Sequence, residues 1–178
     1  MRDGYSGISF LFDATEGETK HLHVGIEIEG PFTKPTLMLS FPRWVPGSYF
    51  LIEPIQYMFD FEAKNDKNQI LKSERKNVDS MKISLGNETD SISIKYKIIA
   101  RELSCRSTHL DNSHIHMMPP FTWFLPTSGI DPNRMEMTHQ IKSHLPEDWT
   151  PATQYLQVSK NKSNGLLTNN TGNTYTFE

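Results

Sequence analysis

Seven histidines in 178 residues raise metal ligation first. His21-x-His23 and His114-x-His116 each set two imidazoles two residues apart, on one side of an extended strand, where they could seat a divalent ion. Glu27 follows the first pair in phase, giving His-x-His-x-x-x-Glu. Those polar residues alternate with Leu22, Val24 and Ile26, so the wet face of an antiparallel strand is the stronger reading. The second pair runs into Met117-Met118-Pro119-Pro120, which reads as an irregular loop. No histidine is followed by glutamate, so a His-Glu-x-x-His zinc helix is absent, as are a Gly-x-Ser-x-Gly elbow and a Gly-rich phosphate loop. Cys105, beside Arg106 and without a placed base, reads as a strand residue. Asp111 and Glu53 stand as single carboxylates without an in-phase partner. On chemistry alone the chain reads as a non-catalytic module.

The elements that carry these residues are strands. Period-two alternation puts Leu22, Val24, Ile26 and Ile28 on one face, and again Tyr57, Phe59, Phe61 and Ala63. It recurs in Met81, Ile83 and Leu85, in Ile92, Ile94, Tyr96 and Ile98, and in Met135, Met137 and Ile141. Turn signals separate the runs, among them Gly86-Asn87-Glu88 and Asp131-Pro132-Asn133. No window carries a helical stripe of useful length; at most a turn of helix lies around residues 52–57. The pattern predicts an all-β fold, an antiparallel sandwich or saddle-shaped sheet pair forming one domain over 1–178.

Two aromatic clusters interrupt the strands. Trp44-Val45-Pro46-Gly47-Ser48-Tyr49 ends an apolar run with two prolines and a glycine, a corner whose Trp44, Tyr49 and Phe50 can anchor it to a core or to a neighbouring domain. Phe121, Trp123 and Phe124 follow a double proline. Exposed, either cluster marks a binding surface; buried, it is packing. The net charge of −3 gives no electrostatic case for nucleic acid or anionic membranes. No apolar run approaches the ~20 residues that span a bilayer, and the first residues lack a signal-peptide layout. With one cysteine, this points to a reducing compartment, the cytoplasm. Asn87, Asn161 and Asn169 stand in glycosylation sequons, of which about two arise by chance in a chain of this composition.

The segment Trp44-Val45-Pro46-Gly47-Ser48-Tyr49 resembles the Trp-x-Pro-Gly-Ser-Tyr signature in the N-terminal domain of glycyl aminopeptidase-type zinc metallopeptidases, a gluzincin family whose members often carry a PDZ module. His21-Leu22-His23-Val24 is similar to the family's early His-x-x-Val strand, and Leu103-Ser104-Cys105-Arg106 with Leu110-Asp111 to its Leu-Ser-x-Arg segment ending in Leu-Asp. Leu145-Pro146-Glu147-Asp148-Trp149 and Ala152-Thr153 resemble its Leu-Pro-x-x-Trp-x-x-Ala-Thr segment. Glu53 matches the family's glutamate after the tyrosine, while Ile52 replaces its arginine.

The resemblance spans roughly residues 20–178 and implies a non-catalytic β domain. It implies a chain cut just before a thermolysin-like catalytic domain, which in the family binds zinc. The parent would release N-terminal Gly or Ala, with Trp44, Pro46, Gly47, Ser48, Tyr49 and Glu53 at the domain interface or substrate access. No metal is expected in this part. The rival readings are a peptide- or glycan-binding module using Trp44, Tyr49, Trp123 and Phe124, and a cupin-like metal protein using His21, His23 and Glu27.

Overall fold

The computed structural model describes residues 5–86, 89–164, 167–168 and 170–178. Asn87 and Asn169 lie outside them. Thirteen strands carry the fold: β1 (Tyr5–Asp13), β2 (His21–Glu29), β3 (Thr36–Ser40), β4 (Met58–Asn65), β5 (Ser73–Arg75), β6 (Ser80–Ser84), β7 (Ser91–Ile99), β8 (His109–Leu110), β9 (Ile115–His116), β10 (Leu125–Ser128), β11 (Thr138–Leu145), β12 (Gln157–Asn164) and β13 (Thr171–Phe177). They form a seven-stranded sheet ordered β12-β13-β11-β1-β2-β7-β4, a four-stranded sheet ordered β10-β3-β6-β5, and the small β8–β9 hairpin. The all-β expectation holds. All pairings are antiparallel except β1 with β11. The sheets stay open, so no cupin barrel forms.

Alternation decides which faces meet. Ile8, Phe10 and Phe12 of β1, Leu22 to Ile28 of β2 and Ile92 to Ile98 of β7 pack one apolar face against Leu37, Leu39, Met81 and Ile83 of the smaller sheet. Two expected strand patterns change phase. In β4 a bulge between Phe59 and Glu62, with Asp60 at φ 53°, puts two residues opposite one. Met58, Phe61 and Ala63 therefore join the core, while Phe59 moves outward against His21 and beneath Lys97. Residues 132–136 form a 3-10 turn, not strand, because Pro132 starts it and Asp131 accepts from the Asn133 N–H. The turn foreseen after the corner is the 3-10 helix Pro54–Tyr57.

The two sheets are stapled by polar bonds inside the apolar layer. The Tyr96 hydroxyl donates to the Thr122 carbonyl at 2.8 Å and accepts from the Phe124 N–H at 3.2 Å. Phe124 lies tilted against Phe41 with ring centres 3.9 Å apart and meets Tyr96 edge-on at 5.5 Å. Burial pushes the Tyr96 phenol well above the usual tyrosine range. On the outer face of the large sheet, the fully buried Asp13 carboxylate accepts from the N–H and hydroxyl groups of Thr15 and Thr168 and the Leu167 N–H.

Tyr96→Phe removes both hydroxyl bonds and is expected to cost about 1–3 kcal/mol in urea unfolding at neutral pH. Because the folded phenol stays neutral while the unfolded one ionises near 10.0, wild-type stability should fall as pH rises past that value. Tyr96→Phe should lose that increment, so the gap between the two proteins narrows at alkaline pH.

Candidate functional site

The corner at 42–53 leaves the small sheet after β3 and turns back on itself. The Ile52 N–H donates to the Arg43 carbonyl at 2.8 Å and closes the loop. Inside it the Trp44 indole N–H donates to the Ser48 carbonyl at 2.7 Å, and the Ser48 hydroxyl bridges both backbone groups of Phe50. Gly47 sits at φ 86° with no atom within 4 Å of an added Cβ, so the backbone angle alone demands glycine there. Pro46 and Gly47 are exposed at its tip.

Glu53 faces Arg43, a partner from the other limb of the corner, at 3.5 Å. The Arg106 guanidinium lies over the Phe50 ring at 4.9 Å. Two sequence segments that carry the family resemblance thus converge, beside a 220 Å³ depression lined by Ile52, Tyr57, Arg101 and Phe121.

The two aromatic clusters divide. Trp44, Tyr49, Phe50 and Leu51 are 53%, 97%, 60% and 65% exposed. Phe121, Trp123 and Phe124 are buried, with the Trp123 indole N–H donating to the Leu11 carbonyl at 3.0 Å. The binding-module surface of Trp44, Tyr49, Trp123 and Phe124 is therefore not assembled. Only its first half reaches solvent.

The histidine expectations are also redistributed. His21 packs edge-on against Phe59, His23 bonds Glu16 at 2.9 Å, and Glu27 pairs with Lys142 at 3.0 Å. Each member of the cupin-like set has its own structural partner. Cys105 is free and exposed. Asp111, read as solitary, is instead the centre of a cluster with His109 and His114 on the β8–β9 hairpin. The hydroxyl and backbone N–H of Ser113, then His109, hold its carboxyl well below the usual carboxylate range. The spacing His-x-Asp-x-x-His was visible, but the hairpin that folds it together was not.

A second groove, 690 Å³, runs beside this hairpin. It is lined by His114, His116 and Met117 together with Trp123, Trp149, Ala152 and Tyr155. The Leu-Pro-x-x-Trp-x-x-Ala-Thr segment thus forms one wall.

The sequence profile described as the Peptidase M61 N-terminal domain matches residues 10–177. The chain belongs to that family. A search of curated proteins finds no match. Among solved structures, the M61 N-terminal domain is similar to an aminopeptidase N family protein from Idiomarina loihiensis, at 16% identity and TM-score 0.64, covering 96% of this chain and 28% of that one. It is also similar to an M1 zinc metallopeptidase from Deinococcus radiodurans, at 15% identity and TM-score 0.50, covering 96% and 37%. At these identities the likeness is one of fold. The chain spans about a third of the length of these neighbours. Among the described residues, no helix is long and apolar enough to cross a membrane.

The exposure difference between the aromatic clusters gives a direct test. Tyr49→Ala should change the unfolding free energy by less than about 0.5 kcal/mol, as for an uninvolved surface site. Trp123→Ala should cost about 3–5 kcal/mol, as for a large core side chain. Urea midpoints of the two variants check both values.

Proposed function

We propose that this M61 N-terminal domain is the non-catalytic part of a zinc metallopeptidase of aminopeptidase type. Its corner, residues 44–53, packs against a catalytic domain in the same polypeptide and shapes the access of peptide chain ends to that domain's cleft. The observation that carries this is the corner itself. Four large apolar side chains stand more than half exposed on a loop closed by indole and hydroxyl bonds. Exposed apolar side chains on a hydrogen-bonded loop suit an interface.

The fold likeness supports the same division of labour, since the neighbours are metallopeptidases of which this domain accounts for a minority of the chain. In such enzymes the zinc polarises the scissile carbonyl and activates water. This chain contains no His-Glu-x-x-His and so does not hold that zinc. The family resemblance makes N-terminal Gly and Ala the residues released. The exposed thiol of Cys105, without a partner cysteine in the sequence, supports the cytoplasm as its location.

Two outcomes are expected. The 178-residue chain, with zinc added, releases no glycine from glycine p-nitroanilide above buffer; zinc-dependent release would contradict a non-catalytic role. In the polypeptide that carries both domains, amides of residues 44–53 exchange with deuterium roughly tenfold or more slowly than in the isolated chain. Equal exchange in both would remove the corner as the docking surface.

A further inference from the structure

The β8–β9 hairpin gathers three metal-ligating groups that the peptidase reading does not use. Backbone and side chain fix the central one. The Asp111 carboxylate accepts from the Ser113 N–H at 2.7 Å, the Ser113 hydroxyl at 2.7 Å and the His114 N–H at 3.0 Å. The Asp111 N–H in turn donates to the His114 carbonyl. Gly17 packs so closely on this hairpin that an added Cβ would lie 2.4 Å from the Asp111 carbonyl oxygen. The hairpin is thereby held to the body of the domain.

His109 supplies the decisive observation. It is only 8% exposed, and its Nδ1 lies 3.1 Å from the Arg101 carbonyl oxygen. A carbonyl can only accept, so Nδ1 carries the proton and donates. The neutral ring then turns the lone pair of Nε2 toward Asp111 Oδ2, 3.1 Å away. Two acceptors do not face one another at that distance without a cation between them or on one of them. A divalent ion at that position would satisfy both groups. A histidine that donates its far N–H to a backbone carbonyl is the usual arrangement of a metal ligand.

His114 completes the set. Its Nδ1 lies 3.4 Å from Asp111 Oδ1, its ring centre is 5.2 Å from that of His109, and the three ligand atoms fall within 4.8 Å of one another. Metal–ligand bonds of about 2.0–2.2 Å in a tetrahedron put ligand atoms about 3.3–3.6 Å apart. The spacing approaches that, and closing it requires His114 to give up its 2.9 Å bond to the Ser113 hydroxyl together with the Nδ1 proton that bond uses, because the one hydroxyl proton of Ser113 goes to Asp111.

We propose that His109 Nε2, the Asp111 carboxylate and His114 Nδ1 bind a divalent ion of the zinc class on this domain, with a fourth position left for water or a ligand. The site stands beside the 690 Å³ groove, which His114 and Ser113 also line, so an ion there would present its open position near bound groups in that groove. It stands or falls independently of the peptidase reading.

The test uses the 178-residue chain freed of metal with a chelator, then titrated with Zn2+ by calorimetry and with Co2+ by visible absorption. One Zn2+ per chain is expected, with Co2+ giving the intense d–d absorption of a four-coordinate site. His114→Ala changes a half-exposed side chain and should weaken binding tenfold or more, as should Asp111→Asn. His23→Ala, as a control, should leave it unchanged. Circular dichroism confirms that each variant folds. Absence of stoichiometric binding, or binding unaltered in folded His114→Ala, overturns the proposal.

Discussion

The structure depends on one buried hydroxyl. Tyr96 comes from β7, next to the β4 edge of the large sheet, and the segment it bonds, Thr122 to Phe124, leads into the edge strand of the small one. An apolar layer alone would let the sheets slide, because dispersion and burial are not directional. A donor and an acceptor satisfied by a single phenol fix their relative position. The surrounding low dielectric makes any slip costly, since both backbone groups would be left unpartnered.

That staple sets the rest of the surface. With residues 119–124 drawn into the core, Thr122 bonds Thr108 and the Met118 carbonyl, and the β8–β9 hairpin is carried along. The hairpin in turn faces the 148–155 segment across the larger groove, while Phe121 closes the smaller depression beneath the corner. The corner keeps Trp44, Tyr49, Phe50 and Leu51 exposed. Hydrogen bonds within the loop and the Arg106 guanidinium over Phe50 brace it, while Trp44 and Tyr49 stay exposed.

Much of this was legible in the sequence. Strict alternation in β2 and β7 named the core face residue by residue, and proline, glycine and asparagine marked the turns. Where β4 departs, the cause is a bulge at Asp60, an event of one residue that a period-two pattern cannot carry. The parallel neighbour of β1 was hidden because pairing across 130 residues leaves no local trace. The corner could be named but not weighed: whether tryptophan and tyrosine at a turn face inward depends on partners distant in sequence, and Trp123 went in while Trp44 stayed out. The His109, Asp111 and His114 cluster escaped because its spacing is neither strand nor helix and becomes a cluster only through a tight hairpin.

The central claim is that this domain serves a zinc peptidase domain on the same polypeptide. The most direct measurement is to read the coding sequence beyond codon 178. The account predicts an open frame encoding His-Glu-x-x-His on a helix, with a further glutamate about twenty residues on. A stop codon at that point, or a following domain without those ligands, would contradict it.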